Sequence, residues 1–239
     1  HSAVLDTLNY LEKKGFKVTY LPVSKGGFVN PDELFDAVNG KTILVSIMTA
    51  NNEIGTIQEI ETIGNICKSK KILFHTDASQ AIGKVKFNVK GLNVDLVSFT
   101  AHKLYGPKGV GTLYVRKSKP EIKIVPQIHG GSQENGIRSG TYNVPLIAGF
   151  SKAVEICQEN FLTETEKYKF LRDKLFKGII NTIPDVIVNG DLEKRLPNNL
   201  NISFRDIDGN LLISGLKKIA VSTGSACTSE THRSSHVLK

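Results

Sequence analysis

Short cysteine spacings are absent from this chain. Its three cysteines, Cys67, Cys157 and Cys227, form an odd and widely separated set. They build neither a zinc ribbon nor a disulfide framework, and a reducing compartment is expected: the cytoplasm, or an organelle matrix if a transit peptide lies upstream. No apolar run approaches the roughly 20 residues that a membrane-spanning helix needs, so no membrane role is expected. An arginine-rich helix and basic stretches interleaved with aromatics are lacking too. The net charge of +8 is spread over lysines such as Lys13-Lys14, Lys68 to Lys71 and Lys217-Lys218. That pattern reads as solvated faces, with an acidic protein partner favoured over nucleic acid. Tryptophan is missing and Met48 is the sole methionine, which decides nothing about function. The first residue is His1 rather than Met, and the chain is expected to be a piece of a longer protein.

What is present is an alternation of helices and strands. Val4, Leu8 and Leu11 space a helix over residues 2–15, with Gly15 as its stop. Val18 to Leu21 reads as a short strand. Asn30-Pro31 opens a helix through Val38, the asparagine as N-cap and the proline at the first helical position. Thr42 to Met48 is a strand, Ile57 to Lys70 a helix, Ile72 to His75 a strand, and Val94 to Phe99 and Gly111 to Val115 two more. Strands and helices in this order predict an α/β fold with a mostly parallel, helix-covered sheet. From Val144 a long helical stretch runs to Lys177, followed by strands at 186–188 and 199–204 and a helix from Gly209 to Lys218. Two domains are expected, a large one over 1–149 and a smaller α+β one over 150–239.

Ligands of such sheets sit beyond the carboxyl ends of the strands. Polar clusters occupy three of those ends: Asn51-Asn52, Asp77 to Gln80, and Thr100 to Lys103. Lys103, delivered by an apolar strand and followed by a Gly/Pro turn, is a solvated loop lysine when taken alone. Paired with a carboxylate such as Asp77, it has the two groups that a pyridoxal phosphate site uses, an amine for the aldehyde and an anion for the ring nitrogen. Asp77 taken alone reads first as a cap of the next helix. Gly106, Gly109 and Gly111 match neither nucleotide fingerprint and read as tight-turn glycines. Cys67 and Cys157 lie on apolar-faced helices and read as structural. Cys227, amid small and polar residues from Ser222 to Ser235, reads as an exposed loop thiol. A Cys227–His232 metal pair has too few ligands for zinc, and no metal is expected. His75 reads as structural; His129 stays open, with structure favoured.

Five segments then carry a resemblance: Ala50-Asn51-Asn52-Glu53-Ile54-Gly55, His75-Thr76-Asp77-Ala78-Ser79-Gln80, Ala101 to Gly109, Arg138-Ser139-Gly140-Thr141, and Gly224-Ser225-Ala226-Cys227-Thr228-Ser229. In this order they resemble the cysteine desulfurases of the NifS/IscS kind, class V aminotransferase relatives with the fold-type I pyridoxal phosphate architecture. The resemblance implies that Lys103 binds the cofactor covalently and Asp77 faces its ring nitrogen. It implies that Gln80 and Asn52 meet the ring hydroxyl side, that His1 stacks on the ring and shuttles protons, and that Thr100 and His102 hold the phosphate. Thr141 would reach the phosphate of a neighbouring subunit, which implies a homodimer. Catalysis would fall to Lys103, Cys227 and His1. The implied reaction removes sulfur from L-cysteine, leaving L-alanine and a persulfide on Cys227 that passes to a sulfur-acceptor or scaffold protein, in iron–sulfur cluster assembly or thiolation. A phosphate-binding turn and a substrate-carboxylate arginine of that family would lie outside residues 1–239, before His1 and after Lys239. A selenocysteine lyase, a non-catalytic paralogue serving as a binding scaffold, and an aminotransferase of the same fold are the rival readings.

Overall fold

A computed structural model of the chain describes residues 1–223, 235, 237 and 238. The elements run α1 (Ser2–Glu12), α2 (Pro31–Ala37), β1 (Leu44–Ser46), α3 (Ile60–Ser69), β2 (Leu73–Asp77), β3 (Leu96–Thr100), β4 (Gly111–Val115), α4 (Val144–Glu159), α5 (Phe161–Thr182), β5 (Val186–Val188), β6 (Ile202–Phe204) and α6 (Gly209–Gly215). The chain divides into two compact units. One comprises His1–Thr42, Ala50–Glu59 and Glu166–Lys239, the other Ile43–Thr49 and Ile60–Thr165. The boundary expected at 149/150 falls within α4.

The second unit holds a four-stranded sheet in the order β1-β2-β3-β4. β1, β2 and β3 are parallel and β4 is antiparallel to β3, so the sheet is mixed and mostly parallel, as expected. α3 packs against β2. Its buried residues Ile60, Ile63, Gly64 and Cys67 recur at i, i+3, i+4 and i+7, the stripe of a helix covering a sheet. A Cβ at Gly64 would collide with the carbonyl oxygen of Leu92, so glycine is what lets the chain entering β3 lie on the helix. Along β2, Phe74 and Thr76 are fully buried while His75 and Asp77 are half-buried, the alternation of a strand with two different faces. Asp95, itself buried, accepts from the Phe74 amide at 2.8 Å and from Arg116 Nε at 2.6 Å.

The first unit is less regular. Val18 to Leu21, expected as a strand, has no assigned secondary structure and no ladder partner among the described residues; the nearest ladder contact is the single bridge Val23–Val29. β5 and β6 pair antiparallel. Its order rests on polar locks. Arg195 is only 3% exposed. It donates to the Asp191 carbonyl at 2.7 Å, to Asn199 Oδ1 at 3.2 Å, and to the Asn189 carbonyl. The carbonyl of Glu53, another buried residue, accepts from Asn199 at 3.0 Å and Asn201 at 3.1 Å, and its Oε2 accepts from Ser235 at 2.5 Å. The expected N-cap is present, since Asn30 Oδ1 accepts from the Asp32 amide at 2.9 Å.

Candidate active site

The parallel register places the functional groups of the second unit. Ser46 pairs with His75, and Asp77 with Ser98. Side chains alternate along a strand, so Ser46, His75, Asp77, Ser98 and Thr100 share one face of the sheet. His75 crosses all three parallel strands: Nδ1 meets Ser46 Oγ at 2.8 Å and Nε2 meets Ser98 Oγ at 3.0 Å. Burial lowers its pKa, with the Asp77 carboxylate opposing. A neutral ring between two hydroxyls fits a structural role, the reading expected from sequence.

Asp77 ends β2 at the carboxyl edge. Its Oδ1 accepts from the Ser79 amide at 2.9 Å, turning the chain sharply away. Among the described residues no hydrogen bond reaches Oδ2. Gln80 follows on successive tight turns, with the Ala81 and Ile82 amides bonded to the Ala78 carbonyl at 2.9 and 3.0 Å. Lys84, one turn further on, donates to Gln80 Oε1 at 3.3 Å.

β3 passes into a 3-10 turn, Ala101–Leu104. Residues three apart eclipse in such a turn. Ala101 and Leu104 are therefore buried together, against Phe150 and Ala153 of α4, while His102 and Lys103 face solvent. Phe99 adds an edge-on contact to Phe150, ring centroids 5.5 Å apart. Tyr105 closes the turn at φ +61°, and the Gly106 amide returns to the Ala101 carbonyl at 3.0 Å. Lys103 is thus an exposed amine on a turn pinned from both sides. The Thr100 hydroxyl lies 3.3 Å from the Val110 carbonyl and 2.9 Å from His102 Nδ1. When its one proton is given to Nδ1, Nε2 carries the ring N–H and can donate to an anion; when it goes to the carbonyl, Nδ1–H donates to the hydroxyl and Nε2 is an acceptor.

Asp77, Gln80, Thr100, His102 and Lys103 therefore come from one unit, on the carboxyl ends of two adjacent parallel strands and the turns that follow. Thr141 belongs to the same unit but to another loop. Its side chain is exposed, and Arg138 donates to the carbonyls of Gly140 at 3.1 Å and Thr141 at 3.5 Å. His129 is exposed. His1 and Asn52 belong to the other unit. His1 caps α1, its Nδ1 accepting from the Ala3 amide at 3.2 Å; Asn52 is half-buried on the Asn51–Thr56 turn, which the Asn51–Thr56 backbone bond closes at 2.9 Å. Cys227 and His232 lie outside the described residues. Sequence reasoning passed over Lys84, whose meeting with Gln80 arises from the tight turns after β2 and is not announced by spacing. Among the described residues no cluster of three or more metal-ligating side chains occurs, and no helix is long and apolar enough to cross a membrane.

The donor set fits pyridoxal phosphate. An exposed primary amine stands ready for the aldehyde, a carboxylate oxygen without a donor among the described residues for the ring N–H, and a hydroxyl–imidazole pair for the phosphate.

Comparisons with known proteins bear on the family. The family model described as aminotransferase class-V matches residues 1–238. The cysteine desulfurase IscS of Neisseria meningitidis is 50% identical over 239 residues, all of this chain and 59% of that protein. A solved NifS-like protein is 48% identical with a TM-score of 0.86, the match covering 90% of this chain and 58% of the other. SspA, solved in complex with cysteine, is 37% identical with a TM-score of 0.83 over 100% of this chain and 65% of its own. The chain thus spans about three fifths of the length of the relatives it matches.

Proposed function

Since the chain belongs to the aminotransferase class-V family, we propose that the protein is a pyridoxal-phosphate-dependent cysteine desulfurase. It would convert L-cysteine to L-alanine and hand the sulfur to a scaffold or acceptor protein. The observation that carries this reading is the strand-end group: Asp77 with one carboxylate oxygen left over, and Lys103 on a turn held by the burial of Ala101 and Leu104. The 50% identity to IscS and the neighbour solved with cysteine support the choice of substrate.

When bound, the cofactor supplies an electron sink for the pair left on the substrate's α-carbon. Asp77 Oδ2 would accept the ring N–H, and its charge would favour the protonated nitrogen. Thr100 and His102 would hold the phosphate, His102 donating through Nε2–H in the tautomer whose Nδ1 accepts from the Thr100 hydroxyl. Gln80 and Asn52 offer amide donors to the ring oxygen. Lys103 Nζ would be the amine that binds the aldehyde and, when free, the base that takes the substrate's α-proton; His1 is the second candidate for proton transfer. Cys227 Sγ attacks the substrate sulfur: the carbon–sulfur bond of cysteine breaks, a sulfur–sulfur bond forms, and the displaced electron pair returns to carbon with a proton. A homodimer in which Thr141 completes the neighbouring phosphate site belongs to the same proposal, as does action in the cytoplasm or an organelle matrix.

The test is alanine and persulfide formation by the full-length protein loaded with pyridoxal phosphate. Both products from L-cysteine, with the persulfide lost in C227S, are expected. Alanine from selenocysteine alone points to the lyase. A protein that binds no pyridoxal phosphate points to a scaffold.

A further inference from the structure

Lys84 is a cation that the proposed reaction does not use. It is half-buried on the turns after β2, and among the described residues no carboxylate pairs with it. Its hydrogen-bond partner is Gln80, whose Oε1 lies 3.3 Å from Nζ. Burial lowers the Lys84 pKa, the Lys103 ammonium lowers it further, and Cys157 opposes; these are the titratable groups that act on it. A cation retained half-buried near a second cation needs a compensating role.

An ammonium has three donors and no acceptor, whereas an amide has an oxygen on one side and two N–H groups on the other. Facing Lys84, Gln80 can present only its oxygen. The amide orientation, ordinarily free to flip, is therefore dictated by chemistry. We propose that Lys84 is a positioning residue for Gln80: by holding the amide oxygen, it leaves the amide NH2 as the donor offered to the ring oxygen of the bound cofactor. The proposal rests on the pyridoxal phosphate reading above and assigns Lys84 no contact with the substrate.

Without Lys84 the amide can turn over and present its oxygen instead, and a donor becomes an acceptor. Both that loss and the removal of a neighbouring cation favour retention of the proton that the lysine–cofactor linkage carries, so both move its titration upward.

The experiment uses the full-length apoprotein titrated with pyridoxal phosphate. It compares wild type, K84M, Q80A and the double variant, reading cofactor Kd and the pH midpoint of the visible absorption band. We expect K84M to weaken binding about 3–10-fold, the size of one ordinary hydrogen bond, and to raise the midpoint. In the Q80A background the same substitution should change Kd less than about twofold, because the two residues act as one unit. Equal effects of K84M in both backgrounds overturn the proposal, as does an unmoved Kd in K84M. Should K84M fail to fold, Q80E keeps Lys84 paired while removing the amide donors, and an unchanged Kd there is equally contrary. A wild-type protein without a visible band overturns the cofactor reading itself, and this proposal with it; a normal wild-type band with indifferent variants overturns this proposal alone.

Discussion

The strand-end face of the second unit and the polar knot of the first are built in opposite ways. At the strand ends, the positions of Asp77 and Lys103 follow from regular structure: a parallel register, a period of two along β2, and a 3-10 turn that buries every third residue. Around Arg195, there is little regular structure to lean on. The chain is held by the Arg195 guanidinium on the Asp191 and Asn189 carbonyls and by the amides of Asn199 and Asn201 on the Glu53 carbonyl. The first arrangement leaves reactive groups exposed on a rigid base. The second spends its polar groups on the chain itself. Substitutions should therefore separate: at the strand ends they remove chemistry and spare the fold, and in the knot they remove the fold.

The largest effect expected is that of K103A. Lys103 is exposed and its turn is held by its neighbours, so the melting temperature should stay within a few degrees of wild type. Desulfurase activity should fall roughly 10³-fold or more, as for loss of a covalent catalytic group. D77N comes next, at roughly 10²-fold in kcat, the cost of removing one aligned electrostatic partner. On the other side of the comparison, R195M should cost about 2–4 kcal/mol in urea unfolding, because it leaves buried carbonyls without a donor. An R195M protein as stable as wild type would erase the contrast between the two regions.

The cysteines sharpen it at a smaller scale. Cys67 is 1% exposed, and burial, then the charge of Asp95, pushes its thiol up to about 12. Burial also raises Cys157, with Glu164 adding and Lys84 opposing. Alkylation of the native protein at pH 8 should therefore reach Cys227 first and spare Cys67 until the protein unfolds, read by peptide mass mapping.

The smallest effect concerns His75. Burial holds its folded pKa below the ordinary histidine value, so the unfolded chain binds the proton more tightly. Its contribution to stability is present above that value and is lost as pH falls through the folded pKa. H75Q should flatten this acid-side slope of stability in denaturant melts and leave the neutral-pH spectrum of the bound cofactor unchanged.

What could be read from the sequence follows the same divide. The strands at 111–115 and 186–188 are where periodicity put them, and the turn carrying Lys103 stood out because a lysine ended an apolar run. Asp77 was legible for the same reason. The strand expected at 18–21 is not formed, because local β propensity there finds no partner to pair with. The 144–177 helical stretch is two helices, α4 and α5, parted at Asn160, whose amide caps α4 by bonding to the Ile156 carbonyl at 3.1 Å. Arg195, Glu53 and the Lys84–Gln80 pair carry no periodic signal. Their roles come from side chains meeting distant backbone or a neighbouring turn, and spacing alone does not announce such meetings.

The most direct test of the central claim uses two lysines on neighbouring turns. Borohydride reduction of the full-length protein after incubation with pyridoxal phosphate fixes the cofactor to whichever amine holds it, and peptide mapping by mass spectrometry then locates it. The structure leads us to expect the label on exposed Lys103 and none on Lys84. Label on Lys84, or on no single lysine, would contradict the assignment of the strand-end turn as the catalytic centre.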